Sequence, residues 1–236
     1  MFSYYTIFFQ KKEIQKTLFK ALCSNLLKVL FFAKILISAY GGKLSLRYNM
    51  EYQRLFISLA IDPVLLKKIS RDLTSLSLPT TRLKFVKPEN IHLTIKFLGD
   101  TPIDRLDPII QALQSACQDF GPFELNLAET KIFPENDPQQ APRVLSLALK
   151  AEKQLQALYN KVEEVLWQSG LANKEMRKFT PHLTLARAYP GIKREDLKDF
   201  LAWKPQGAFY IDHLDLQASV LAKGGPQYTV LNTFDL

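Results

Sequence analysis

Two copies of the triplet His-Leu-Thr place the strongest constraint on how this chain folds. They lie at residues 92–94 and 182–184, and they use two of the only three histidines. Each triplet stands in an apolar run that predicts a strand, where residues i and i+2 share a face. The histidine and threonine then face one way, and the leucine faces a core. In the first run the same alternation puts Phe97 in the core. We therefore expect two strands to meet so that both His-Thr faces line one cleft.

The residue types in this repeat favour acid/base chemistry on a phosphodiester. An imidazole titrates near neutrality, so one of a pair holds a proton while its partner lacks one. Such a pair can deprotonate water on one side of a phosphorus atom and protonate the leaving oxygen on the other. Threonine hydroxyls can donate to the non-bridging oxygens. This chemistry requires no metal.

Other uses of these residues are less well supported by the sequence. A metal site is poorly supplied, since there is no His-x-His, HExxH or cysteine pair. A serine nucleophile lacks its GxSxG signature. A single His-x-Thr is usually structural, but its repetition favours a catalytic pair. The third histidine, His213, is predicted to be a surface or structural residue.

The remaining pattern mixes strands and helices without regular alternation, which predicts an α+β fold. We predict strands at 52–61, 82–86, 91–98, 123–133, 144–149, 179–187, 209–219 and 227–234. We predict helices at 63–76, 102–120, 151–169 and 192–202. Asp62 is the expected N-cap of the first helix, and Gly170 is expected to end the third.

Charge and composition divide the chain at about Met50. The formal net charge is +8, but residues 1–49 hold eight basic residues and one acidic residue, which leaves +1 for 50–236. All 13 prolines come after that point. We therefore predict an N-terminal extension at 1–49 and one domain at 50–236. A nearly neutral domain predicts contact with few phosphates and a shallow salt dependence.

The extension has an apolar run at 26–40 that Lys28 and Lys34 interrupt. It is too short and too charged to span a membrane, so no transmembrane segment is expected. Three interpretations stay open: translation begins at Met50, which we favour, or the run is a basic amphipathic helix on a membrane or partner, or it serves targeting. The chain has two cysteines, Cys23 and Cys117, which fits a reducing compartment and predicts a cytoplasmic protein.

The two histidine segments, IHLTIKFLG at 91–99 and FTPHLTLAR at 179–187, resemble the paired HxTx motifs of the 2H phosphoesterases. They are most similar to the bacterial and archaeal RNA 2′,3′-cyclic phosphodiesterases, once called 2′-5′ RNA ligases. Further similar segments are RLFI at 54–57, VKPEN at 86–90, RVL at 143–145 and GPQY at 225–228. The resemblance covers about 50–236. The family often has tryptophan at the positions of Phe85 and Ser146. Phe85 keeps an aromatic ring, whereas Ser146 predicts an altered wall for base stacking.

The resemblance implies an α+β fold of two pseudo-symmetric lobes, with antiparallel sheets, flanking helices and a central cleft that carries both motifs. It implies hydrolysis of an RNA 2′,3′-cyclic phosphate to a 2′-phosphomonoester. We expect no cofactor and no metal, and we expect a monomer, although the sequence carries no signal of the oligomeric state. His92 would protonate the ribose 3′ oxygen and His182 would activate water, although these two roles can be exchanged.

The resemblance also implies which side chains contact the phosphate. Thr94 and Thr184 would hold its oxygens, and Arg143, Arg187 and Lys96 are further candidates. Strict alternation puts Arg187 on the face of the second leucine, where it could instead form a structural ion pair. Two alternative functions stay open: hydrolysis of small cyclic nucleotides or ADP-ribose cyclic phosphate, and RNA-end binding without catalysis.

Overall fold

The computed structural model describes residues 36–40, 43–47, 51–135, 139–150, 152–223 and 225–236. The chain divides into two units, Met1–Tyr52 and Gln53–Leu236. In the first unit, β1 (Leu36–Tyr40) pairs antiparallel with β2 (Lys43–Arg47). The helix interpretation of 26–40 is therefore wrong for 36–40, while 26–35 and Cys23 lie outside the described residues. The origin of the extension and the boundary at Met50 stay predictions.

The remaining strands and helices alternate irregularly along the chain, as an α+β fold requires. The strands are β3 (Tyr52–Leu59), β4 (Leu83–Phe85), β5 (Leu93–Pro102), β6 (Phe123–Phe133), β7 (Val144–Leu149), β8 (His182–Ala188), β9 (Ala208–Ile211), β10 (His213–Ala222) and β11 (Gly225–Asp235). The helices are α1 (Pro63–Ser75), α2 (Leu106–Cys117), α3 (Lys153–Gln168) and α4 (Lys198–Ala202).

Local signals in the sequence set several of these boundaries. The carboxylate of Asp62 accepts a hydrogen bond of 2.8 Å from the backbone N–H of Leu65 and begins α1, as predicted. Helix α1 then buries Leu65, Ile69 and Leu73, which are spaced by one helical turn. Beyond α3, Gly170 has φ of 66°, a backbone conformation that favours glycine at a helix end. The predicted bounds of β6 and β7 are confirmed.

Within the described residues, strands β3 to β11 form one sheet in the order β11-β10-β3-β5-β8-β7-β6-β9, and β4 pairs with β8 beside that path. The β5–β8 junction consists of a single antiparallel residue pair, Leu93 with Leu183. The sheet therefore divides there into a half of four strands, β11-β10-β3-β5, and a half of five, β8-β7-β6-β9 with β4 beside β8. This antiparallel α+β architecture confirms the predicted fold class, whereas the pseudo-symmetry of the two halves stays a prediction.

Several predicted boundaries were wrong, among them two strand ends at which pairing overrides the local turn signals. The predicted strand 209–219 is interrupted at Asp212, so that β9 pairs with β6 while β10 pairs with β3 and β11. Strand β5 continues through Gly99 to Pro102 instead of ending at the Gly-Asp turn signal. The predicted helices 102–120 and 192–202 each begin with a 3₁₀ turn, at Ile103–Arg105 and Arg194–Leu197.

The two histidine segments share one burial pattern, although only the triplets are identical in sequence. Residues 92–97 and 182–187 both run half-buried, buried, half-buried, buried, buried and exposed. Two consecutive buried residues break the strict alternation. The prediction that Phe97 lies in the core is wrong, because its side chain is 73% exposed.

On β8 the cause of this break is a bulge. The register with β7 shifts so that Leu145 pairs with Ala186 and Ser146 with Thr184, which leaves Leu185 as the extra residue. An extra residue reverses the direction of every side chain beyond it. Arg187 is therefore brought to the face of His182, and its predicted position on the face of Leu183 is wrong.

Candidate active site

The β5–β8 junction brings the two His-Leu-Thr triplets together. Because Leu93 pairs antiparallel with Leu183, the flanking residues meet in reverse order, with His92 beside Thr184 and Thr94 beside His182. Opposed residues of an antiparallel pair have Cβ atoms about 5 Å apart. Both leucines are buried in the core, so the four polar side chains share the opposite, half-buried face. The predicted convergence of the two motifs is thus present.

Both imidazoles are held by the same local hydrogen bond. The Nδ1 atom of His92 lies 2.9 Å from the carbonyl oxygen of Asn90, and Nδ1 of His182 lies 2.8 Å from that of Thr180. A carbonyl oxygen only accepts, so in each ring Nδ1 carries the proton and donates it. Nε2 is then left to accept a proton when the ring is neutral and to donate one when it is charged. Each histidine is therefore prepared for proton transfer through Nε2.

Aromatic rings pack against both histidines. The ring centroid of Phe56 lies 4.9 Å from that of His92, and Tyr228 meets the same imidazole edge-on at 5.3 Å. On the other side, Phe133 lies 5.0 Å from His182. These contacts restrict rotation of the imidazoles and remove water from one side of each ring.

Electrostatics distinguish His92 within this pair. Burial disfavours the charged form of His92 and lowers its pKa below the usual value. The hydrogen bond to the carbonyl of Asn90 raises the pKa and so opposes this effect. The positive charge of His182 lowers the pKa further. The two imidazoles therefore interact, and placing both positive charges at once is unfavourable. An anion bound between the two imidazoles would instead favour their protonated forms.

The arginine of the second motif also reaches this region. Burial raises the pKa of Tyr228, and the charge of Arg187 opposes that rise. Tyr228 contacts the His92 ring, and the bulge turns Arg187 to the face of His182, so Arg187 is a candidate ligand for an anion bound on that face. Its side chain is exposed and therefore accessible to an anionic ligand.

Arg143 lies at the edge of the second half of the sheet. Its backbone N–H donates to the carbonyl oxygen of Phe133, and its own carbonyl accepts from Ala188, both at 2.9 Å. These bonds connect the end of β6, which carries Phe133, through Arg143 to the end of β8. The Arg143 side chain is exposed, and its contact with phosphate stays a prediction.

Two residues predicted to influence the ligand have structural roles instead. The ammonium of Lys96 is buried and contacts Glu163 Oε1 at 2.5 Å and the carbonyl oxygen of Asn173 at 2.9 Å. Lys96 therefore forms an internal ion pair with Glu163, and we do not retain it as a phosphate ligand. Ser146 is fully buried and donates to the carbonyl oxygen of Lys131 at 3.2 Å. It presents no surface to a base.

His213 makes its contacts with residues other than His92 and His182. Its Nδ1 pairs with Asp212, and its Nε2 lies 3.8 Å from the carboxylate of Asp215, as expected of a structural residue. The described ranges contain no group of three or more His, Cys, Asp or Glu side chains arranged to hold a metal ion. In the same ranges no helix has the length and apolar character needed to cross a membrane.

Sequence reasoning missed the roles of several residues at the site. Phe56, Asn90 and Tyr228 stand in segments that supported the family resemblance, but nothing in the sequence indicated that they contact the first histidine. The Asn90 side chain also donates to the carbonyl oxygen of Pro226 at 3.1 Å, which connects the turn before β5 to the strand of Tyr228. Such contacts between distant segments leave no local signal.

A comparison with family models matches residues 65–220, which include both motifs, to the 2′-5′ RNA ligase superfamily. The chain belongs to the 2′-5′ RNA ligase superfamily. This confirms the resemblance to the 2H phosphoesterases. Curated relatives include RNA 2′,3′-cyclic phosphodiesterases of Methanothermobacter thermautotrophicus, 27% identical over 78% of this chain and 98% of the relative, and Archaeoglobus fulgidus, 29% identical over 77% and 99%.

Solved structures of similar proteins agree with the superfamily fold. A Thermus thermophilus crystal structure is 27% identical, covers 78% of this chain and 97% of its own, and superposes with a TM-score of 0.64. The E. coli protein LigT in complex with 3′-AMP is 24% identical, covers 79% and 99%, and also has a TM-score of 0.64. At 24% identity, the similarity to LigT is evidence for the fold only.

Proposed function

We propose that this protein is an RNA 2′,3′-cyclic phosphodiesterase that produces a 2′-phosphomonoester by metal-independent acid/base catalysis. The observation that carries the proposal is the meeting of two half-buried imidazoles, each with Nδ1 bonded to a carbonyl and Nε2 left for proton transfer. The names of the curated relatives support the same reaction.

In the proposed reaction, the two histidines act on the same phosphate, one as base and one as acid. The cyclic phosphate binds between the two Nε2 atoms. Nε2 of His182 takes a proton from water, and the water oxygen attacks phosphorus. The bond from phosphorus to the ribose 3′ oxygen breaks, and His92 gives that oxygen its Nε2 proton. The products are a 2′-phosphomonoester and a free 3′ hydroxyl.

The remaining polar groups stabilise charge on the phosphorus. The hydroxyls of Thr94 and Thr184 donate to the non-bridging oxygens as negative charge develops there. Arg187 supplies a positive charge on the same face, and Arg143 is a further candidate from the adjacent edge. No step requires a metal ion.

Either histidine can be the acid, with the other as the base. A bound phosphodiester is anionic and favours the protonated form of His92, which supports the donor role. One observation favours the exchanged assignment, since burial lowers the pKa of His92 in the free protein. A neutral His92 would then be the base and His182 the acid.

The full chain should convert an RNA oligonucleotide that ends in a 2′,3′-cyclic phosphate to the 2′-phosphate. We expect His92→Ala and His182→Ala each to lower kcat by about 10²–10⁴-fold, the range of general acid/base catalysis. His213→Ala is the matched control and should retain wild-type activity. Equal activity of all three variants would contradict the proposal.

The same assay separates the alternative functions. Faster hydrolysis of mononucleoside cyclic phosphates or ADP-ribose cyclic phosphate than of the oligonucleotide would favour a small-molecule substrate. RNA-end binding that survives loss of both imidazoles, without turnover by the wild type, would favour a binding module.

A further inference from the structure

Lys84 and Arg187 are two cations that stand directly opposite each other in the sheet. Strand β4 pairs antiparallel with β8, and in that register Lys84 lies across from Arg187. Opposed residues of a strand pair share a face of the sheet. Because the bulge turns Arg187 to the face of His182, Lys84 is on that face as well. Both side chains are exposed, so Lys84 brings a second accessible positive charge to this face.

The side chain of Lys84 reaches the start of β11. Its Nζ atom lies 3.7 Å from the point that a Cβ atom on Gly225 would occupy. Gly225 is the first residue of the strand on which Tyr228 contacts the His92 ring. The charge of Arg187 also acts on the pKa of this tyrosine. Lys84 therefore spans from the neighbour of the second motif to the strand that adjoins the first histidine.

No carboxylate compensates these two charges within the described residues. There, neither Lys84 nor Arg187 forms an ion pair, whereas the exposed cations Lys161 and Lys174 each pair with a carboxylate. Like charges directly opposite each other on two strands are destabilising. An anion bound between the ammonium and the guanidinium would remove this repulsion and form charge-assisted hydrogen bonds with both.

The position of the pair indicates which phosphate of an RNA it would hold. Arg187 follows Thr184 by three positions, a separation of about 10 Å along an extended strand. The proposed site of the cyclic phosphate lies beside Thr184, at the other end of that separation. The cations therefore have room for a phosphate that is one nucleotide away from the reacting one.

We infer that Lys84, beside Arg187, binds the phosphodiester that joins the terminal nucleotide to the preceding one. The inference rests on the proposed function, which places the cyclic phosphate between the two imidazoles. It makes an oligonucleotide a better substrate than a mononucleoside cyclic phosphate, which has no second phosphate. One local pair of cations also suits a domain whose net charge is only +1 over residues 50–236.

The test compares three substrates with the full chain, all ending in a 2′,3′-cyclic phosphate. One is a dinucleotide, one is the same dinucleotide with an uncharged methylphosphonate linkage, and one is the mononucleotide. On the charged dinucleotide, Lys84→Met should raise KM about tenfold and leave kcat within about twofold. On the other two substrates, Lys84→Met and the wild type should have equal KM values.

Two further variants separate this contact from general effects of the substitution. Lys84→Arg keeps the charge and should retain most of the affinity for the charged dinucleotide. Lys198→Met removes another exposed lysine, on α4, and should change neither constant. For the charged dinucleotide, the slope of log kcat/KM against log salt should become shallower by about 0.7 in Lys84→Met, as expected for one lost phosphate contact. Circular dichroism should be the same for all of these proteins.

The outcomes also distinguish the inference from the proposed function. If Lys84→Met raises KM equally on all three substrates, Lys84 contacts the cyclic phosphate instead, and the inference is overturned while the phosphodiesterase activity stands. An unchanged KM on the charged dinucleotide overturns it as well. If the wild type converts none of the substrates, the proposed function itself fails and the inference fails with it.

Discussion

The buried pair of Lys96 and Glu163 makes a sharp prediction about stability. Their side chains are 6% and 9% exposed and meet at 2.5 Å, and the second carboxylate oxygen of Glu163 accepts from the N–H of Glu175 at 2.9 Å. In Lys96→Met the carboxylate stays buried without its cation. Removing one partner of a buried ion pair costs about 3–5 kcal/mol. For a domain of this size that lowers Tm by about 6–20 °C.

Urea denaturation followed by circular dichroism measures this loss. The double variant Lys96→Met/Glu163→Leu should be more stable than the single variant, because no unpaired charge remains. It should still lose about 1–3 kcal/mol, since the N–H of Glu175 loses its acceptor. As a control, Lys161→Met removes an exposed pair with Asp119 and should cost about 1 kcal/mol or less.

The result that would refute the reasoning is a Lys96→Met protein with unchanged stability and a much higher KM. Lys96 would then bind substrate phosphate, as the family resemblance implied. A loss of stability with KM unchanged at a permissive temperature would support the structural role.

The remaining predictions concern the catalytic pair and its supports. His182→Ala removes a neighbouring positive charge, so the pKa of His92 should rise, which NMR titration of its ring protons measures; an unchanged or lower pKa would contradict the coupling. A substrate with sulfur in place of the 3′ bridging oxygen needs no proton donor, so it should restore most activity to His92→Ala and little to His182→Ala; the opposite pattern would exchange the roles. Asn90→Ala releases the turn from Pro226 and should lower kcat about 10–100-fold with little change in KM, while a change in KM alone would argue against positioning. The slope of log binding constant against log salt should lie between about −0.7 and −2, as for one to three phosphates, and a much steeper slope would indicate a wider RNA footprint.

The sequence predicted those features that local chemistry controls. Asp62 caps α1 because its carboxylate reaches an N–H three residues away. The apolar residues from 123 to 133 predict β6, which pairs with β9 over its first four residues and with β7 towards its end. The repeated triplet predicted that the two histidines come together, because two strands with equivalent buried leucines can meet at those leucines. In each case the information lies within a few residues.

Other features depend on partners that are distant in the chain. The bulge at Leu185 reverses Arg187, and no residue near it signals that β8 exchanges β5 for β4 as a neighbour. Lys96 is buried because Glu163 lies opposite it, 67 positions away. The aromatic contacts of His92 come from two other strands. A sequence pattern cannot reveal these pairings before the sheet order is known.

The most direct test of the central claim is hydrolysis by the full chain after exhaustive dialysis against EDTA, in water enriched in ¹⁸O. The substrate is an RNA oligonucleotide with a 2′,3′-cyclic phosphate, and mass spectrometry with ³¹P NMR identifies the product. We predict an undiminished rate and one ¹⁸O atom in a 2′-phosphomonoester. A 3′-phosphate product, or activity that disappears with the chelator and returns with a divalent metal, would contradict two-histidine catalysis of this reaction.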